Sequence, residues 1–200
     1  MKFFKKNSYD VVRLYINQVG ITIFSLALYF AVGTIDDTAL LKKIMIAVSA
    51  FAFIFYLCLI YCVIWEIGSK DKIRVEGGKM EADRFKGLKL SVFANVPNFL
   101  LSIVACILTV IVIFTGAEWA KLVLAILYLI LHFHCAMFFG MIYGVTATAA
   151  PEDPAYYNVF LVKCILYLVL PLVSLAVSHL AYYLGSKDKK LFSSSAKNKN

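Results

Sequence analysis

The sequence predicts an all-α protein, a polytopic transmembrane helical bundle with five apolar segments. Three observations carry this reading. Hydrophobic residues make up 62% of the 200 and charged residues 16%, against about 45–50% and about 25% in soluble domains. The apolar residues are gathered into long runs, each reaching the ~20 residues that a spanning helix needs. Most of the basic residues flank those runs. A soluble domain of this length has too little interior to hide so much apolar surface, which excludes a water-soluble enzyme or DNA-binding protein. A membrane β-barrel would alternate apolar and polar residues, and these runs do not.

The first segment, about Leu14–Gly33, follows the basic stretch MKFFKKNSYDVVRL. A secretory signal peptide competes here, with Ala31-Val32-Gly33 as a weak cleavage site. The run is long for a signal sequence and Asp10 precedes it, which favours a retained span. Its small and polar residues are Asn17, Gly20, Ala27 and Ala31. The tight link Thr34–Lys43 carries Asp36-Asp37 as a turn, and the second segment covers about Ile44–Ile67.

Residues 68–89 form the one sizeable connection and carry Lys70, Lys72, Arg74, Lys79, Arg84, Lys86 and Lys89. It reads as a basic cytoplasmic loop that meets anionic lipid headgroups or a partner. Its centre, Lys72–Glu81, alternates around Gly77-Gly78, which suits either a small hairpin or a loop lying on the headgroups.

The third segment, about Leu90–Thr115, carries a polar stripe: Ser91, Asn95, Asn98, Ser102, Cys106 and Thr109. Spacings of three and four place them within an arc of about 80° on one helix. The stripe is either a packing face, since helices in lipid associate through small and polar residues, or the wall of a solute path. Asparagines without charges beside them favour packing. Pro97 lies off the stripe and is a candidate kink.

The fourth segment, about Trp119–Ala150, is 32 residues long. As one helix it would measure about 48 Å, against a hydrocarbon core of about 30 Å. Its most polar stretch is His132-Phe133-His134-Cys135. It is either one long tilted helix or two half-helices meeting there as a re-entrant pair. A pair of that kind needs protein or water over its exposed backbone. Residues His132, Ala136, Gly140, Gly144 and Thr148 recur every four, and Gly140–Gly144 is a GxxxG match that permits close backbone approach. The break Pro151-Glu152-Asp153-Pro154 cannot continue a helix. The fifth segment, about Tyr157–Leu184, has its own packing stripe of Tyr167, Ser174, Ser178, Ala181 and Gly185. Residues 191–200, which include SSSAKNKN, read as a disordered tail.

Net charge is +8, from 20 basic and 12 acidic residues. The positive-inside rule accounts for them without nucleic acid as a partner. With the N-terminus inside, five full crossings put 12 basic residues inside and 8 outside. A re-entrant fourth segment puts 16 inside and 4 outside, with a cytoplasmic C-terminus. The charge count leans to the second arrangement. Trp65, Trp119, Tyr182 and Tyr183 sit at segment ends, as interfacial aromatics do.

Chemistry is sparse. The five cysteines all lie in apolar runs without a CxxC pair, which argues against a disulfide framework. His132 and His134 would point about 200° apart on one helix, so they share no metal unless the helix breaks. Together with His179 they leave axial haem ligation as a minor alternative. No HExxH, GxSG or P-loop motif is present. No catalytic residue, metal site or cofactor is expected.

The stretches Trp65–Met80, Phe85–Leu88 with Phe93–Asn98, and Leu180–Lys187 together resemble small uncharacterised membrane proteins of Gram-positive, Clostridium-like bacteria. The likeness covers about a third of the chain. It implies a bacterial plasma-membrane location and carries neither an activity nor site residues. The functional expectation is a non-enzymatic membrane-complex or regulatory subunit, docking on a membrane-protein partner or a second copy. A small solute transporter using the third-segment stripe is the alternative, and a haem or metal protein the third.

Overall fold

A computed structural model describes residues 2–146 and 155–189. Among these the chain is an all-α bundle without strands. In chain order the helices are α1 (Lys2–Val32), α2 (Thr38–Glu76), α3 (Lys86–Thr115), α4 (Glu118–His134), α5 (Phe139–Val145) and α6 (Tyr156–Ser186). A 3-10 turn, Ala136–Phe138, joins α4 to α5. Helices α1, α2, α3 and α6 are each long and apolar enough to cross a membrane, and α4 with α5 forms a fifth apolar piece bent by 85°.

The bundle is turned inside out relative to a water-soluble one. Ser49, Asn98, Ser102, Thr109, Ser174 and Ser178 are completely buried, while Phe30 is 75% and Phe114 83% exposed. Large apolar side chains facing outward across whole helices suit hydrocarbon and not water. The protein is a multi-pass membrane protein.

Local chemistry sets the helix ends. The Asp37 carboxylate accepts from the backbone N–H groups of Ala39 and Leu40 and so caps α2. Gly116, at φ 62°, ends α3 in the left-handed conformation that a Cβ disfavours. α3 runs through Pro97, and α6 through Pro171, as single helices.

The stretch 68–89 is not one loop, and its centre is not a hairpin. α2 continues to Glu76, Gly77 caps it and Gly78 turns the chain at φ 67°. The Gly-Gly pair therefore ends a helix instead of reversing a strand, because Lys72–Glu76 extends a ladder of helical hydrogen bonds already in place. At 39 residues α2 is about 58 Å long, so its last turns stand beyond a core of about 30 Å.

Helices α2, α3 and α6 form the centre, with α1 packed on α2 and α3. Three glycines close one end of this centre. A Cβ on Gly87 would overlap Tyr182, one on Gly185 would overlap the Trp65 carbonyl, and one on Gly68 would lie 2.6 Å from the Tyr182 carbonyl oxygen. At the same end the Trp65 indole donates to the Lys189 carbonyl (2.8 Å), Lys72 approaches Asp188 (4.0 Å) and Arg13 pairs with Glu66 (3.0 Å). The first turns of α1, the end of α2, the start of α3 and the end of α6 thus share one charged end.

α4 starts at the opposite end and, at 17 residues, is about 26 Å long. It stops beside Asn98, part-way down α3. α5 then climbs back along the first turns of α2, until Tyr143 lies near Lys42. Segment 4 is therefore broken at Cys135. Thr148, the Pro151–Pro154 break and the tail at 191–200 lie outside the described residues.

Candidate functional site

Three regions gather polar groups: the break between α4 and α5, the face between α3 and α6, and the charged end. At the break the backbone leaves the helical ladder, and side chains from other helices satisfy it. The Thr22 hydroxyl of α1 donates to the His134 carbonyl at 2.9 Å. The Ser49 hydroxyl of α2 donates to the Met137 carbonyl at 2.6 Å. The Gly140 N–H donates to the Tyr29 hydroxyl at 3.2 Å, and the Cys135 thiol to Asn98 Oδ1 at 2.6 Å. Irregular backbone inside a membrane persists only under such cover. Sequence reading missed Thr22, Tyr29 and Ser49. Thr22 and Tyr29 had a signal, since Gln18, Thr22, Ser25 and Tyr29 are spaced four, three and four on one helix face, whereas Ser49 stands in an otherwise apolar run.

The third-segment stripe lies against α6. Ser91, Asn95, Asn98, Ser102 and Thr109 are all at most 2% exposed, and so are Ser174 and Ser178 of α6. Asn95 donates to the Ser91 carbonyl and Asn98 to the Tyr167 carbonyl (2.9 and 3.4 Å). The Thr109 hydroxyl donates to the Ala105 carbonyl (2.7 Å) and lies 3.9 Å from Cys164 Sγ. Ser174 and Ser178 bond back to carbonyls of their own helix. Tyr56 and Tyr167 fill the space between the helices, both buried. Ser91, Ser102 and the Tyr167 hydroxyl have no hydrogen-bond partner among the described residues. Gly140 and Gly144 lie on α2, where a Cβ would overlap the Met45 carbonyl and Ile46 respectively.

The histidines are dispersed. His132 packs edge-on to Phe139 (4.1 Å between centroids), His134 lies near Tyr15 (5.9 Å) and His179 stacks on Phe85 (5.6 Å). No three metal-binding side chains come together among the described residues.

The charged end is ordered by one buried carboxylate. Asp71 of α2, whose side chain is 3% exposed, accepts from Lys86 Nζ of α3 at 2.6 Å and from the Tyr182 hydroxyl of α6 at 3.1 Å. Arg74 approaches its other oxygen at 3.6 Å. One acid thereby ties three helices. The Lys86 side chain is only 6% exposed, so it is withdrawn from the lipid-or-partner surface that the sequence assigned to it. The other basic residues of 68–89 remain outside. Lys70 pairs with Glu66 (2.6 Å), Lys72 with Glu76 (3.9 Å) and Lys89 with Asp83 (2.8 Å). Lys79 and Arg84 are exposed and make no ion pair among the described residues.

Beside Asp71 a cleft of about 580 Å³ opens between the end of α2, the turn at 77–85 and the end of α6. Its walls include Lys72, Glu76, Asp83, Arg84, Tyr183 and Lys187.

No family model, no curated protein and no solved structure matches this chain. Its function is read from its own residues alone.

Proposed function

We propose that the protein is a non-enzymatic subunit or regulatory component of a bacterial plasma-membrane complex, with its charged end in the cytoplasm. The observation that carries this reading is the burial of the α3 stripe. All five polar residues there are buried, four of them at most 1% exposed, and Asn98 and Thr109 contact Tyr167 and Cys164 of α6. Among the described residues, exposed basic side chains concentrate at the charged end. The basic residues of the first helix, of 68–89 and of the α6 end gather there, which supports a cytoplasmic face.

The test is affinity purification from native membranes with mass spectrometry. A stoichiometric protein partner should accompany the native chain. It should be lost when the exposed cations Lys70, Lys79, Arg84 and Lys89 are changed to Gln. If native and changed proteins both purify alone, the subunit reading fails.

A specific observation favours a second reading, a small solute transporter. The break at Cys135 puts the end of α4 inside the bundle beside Asn98, and the Tyr167 and Ser102 hydroxyls are buried without a hydrogen-bond partner among the described residues. Discontinuous helices of this kind recur where carriers hold their substrates. Asn95→Leu and Asn98→Leu that preserve expression and abolish uptake of a solute would establish it.

A further inference from the structure

We propose that the cleft at the charged end holds the phosphate of an anionic phospholipid headgroup between Arg84 and Lys187. The charges around the cleft point there first. Its three acids already have cations: Asp71 has Lys86 and Arg74, Glu76 has Lys72, and Asp83 has Lys89. Two cations on its wall have no carboxylate within 4.0 Å among the described residues. Arg84 makes no hydrogen bond there, and Lys187 Nζ lies only over the Tyr183 ring, at 5.8 Å. A cleft whose acids are neutralised and whose leftover charges are an arginine and a lysine selects an anion. The guanidinium offers paired donors that match phosphate oxygens, and the ammonium adds a compact charge.

Size and depth agree with a headgroup. The volume of about 580 Å³ lies within the range of small-ligand sites, about 300–1,000 Å³. Lys72 stands about 8 Å beyond Ile67, where the apolar run of α2 stops, which is the depth of the headgroup layer. Tyr183 is 51% exposed on the cleft wall, where an aromatic ring sits beside lipid glycerol and phosphate. An extended polyanion fits less well, because only two cations on the cleft wall lack a carboxylate partner among the described residues, enough for one phosphate.

The inference rests on the multi-pass membrane reading and deepens the expectation of headgroup contact. It does not depend on a protein partner. The experiment uses the full chain in nanodiscs of phosphatidylcholine containing a minor share of phosphatidylglycerol. Native mass spectrometry then reads the phosphatidylglycerol retained after release. Arg84→Gln and Lys187→Gln should each lower retention about fivefold, and the pair about 25-fold. Lys43→Gln, exposed near the start of α2, should leave it unchanged. Both cleft residues are exposed, so circular dichroism should show the native helix content in every variant. Soluble glycerol phosphate at millimolar concentration should fail to displace the lipid. The proposal is overturned if the cleft variants match Lys43→Gln, or if soluble glycerol phosphate empties the cleft. Partner co-purification with Lys187→Gln is read separately, so loss of the lipid site leaves the subunit reading standing.

Discussion

The thiol of Cys135 donates to Asn98 Oδ1 at 2.6 Å, and the same asparagine donates to the Tyr167 carbonyl of α6 at 3.4 Å. One side chain on α3 thus fastens the break in the fourth segment to the last helix. Asn98→Leu removes an acceptor and a donor at a completely buried position. Hydrogen bonds between helices in lipid contribute on the order of 0.6 kcal/mol each, so a loss of about 1 kcal/mol is expected. Mixed-micelle denaturation measures it. Faster labelling of Cys135 by a membrane-permeant maleimide should accompany it, and an unchanged labelling rate would count against the role given to Asn98.

The Asp71–Lys86 pair makes a contrasting prediction. Removing one partner of a buried pair costs about 3–5 kcal/mol, because the other charge is stranded. Lys86→Met should fall near the lower end, since Arg74 and Tyr182 still attend Asp71. The double change Asp71→Asn with Lys86→Met should be less damaging than Lys86→Met alone. Thermal unfolding of the detergent-solubilised variants decides it, and a double variant that is worse than the single would refute the argument.

Glycine positions should separate sharply. Gly140→Leu drives a side chain into the Met45 carbonyl and Ser49, and backbone cannot move aside as a flexible side chain can. Loss of monodisperse protein on gel filtration is expected. Gly20, inside α1, faces open space, and a Cβ there would meet nothing within 4 Å. Gly20→Ala should therefore be neutral or stabilise by about 0.5–1 kcal/mol through helix propensity.

Sidedness follows from the shared charged end. In a cysteine-free background, Lys79→Cys and Asp188→Cys should react with an impermeant maleimide from one side of the membrane. Thr34→Cys and Ala117→Cys, in the links at the far end, should react from the other. Labelling of Lys79→Cys and Asp188→Cys from opposite sides would exclude four crossings with a re-entrant pair.

Much of the bundle was legible because the signals are local. Composition and run length fixed the helical membrane class. The spacing of Ser91, Asn95, Asn98, Ser102 and Thr109 placed them on one face, since a helical period needs only neighbours within a few turns. The polar centre His132–Cys135 marked where an overlong segment would break. The Lys72–Glu81 alternation misled for the same local reason: period two in a short polar stretch has no sheet to join, and α2 already offered a helix to extend.

What the chain alone determined is therefore the helical membrane class, the polar face of α3 and where the fourth segment is weakest. Tertiary structure decided who meets whom. Thr22 reaches the His134 carbonyl across 112 residues, and Tyr182 reaches Asp71 across 111. Such pairings depend on which helices become neighbours in three dimensions, and a period along one helix holds no information about its neighbour.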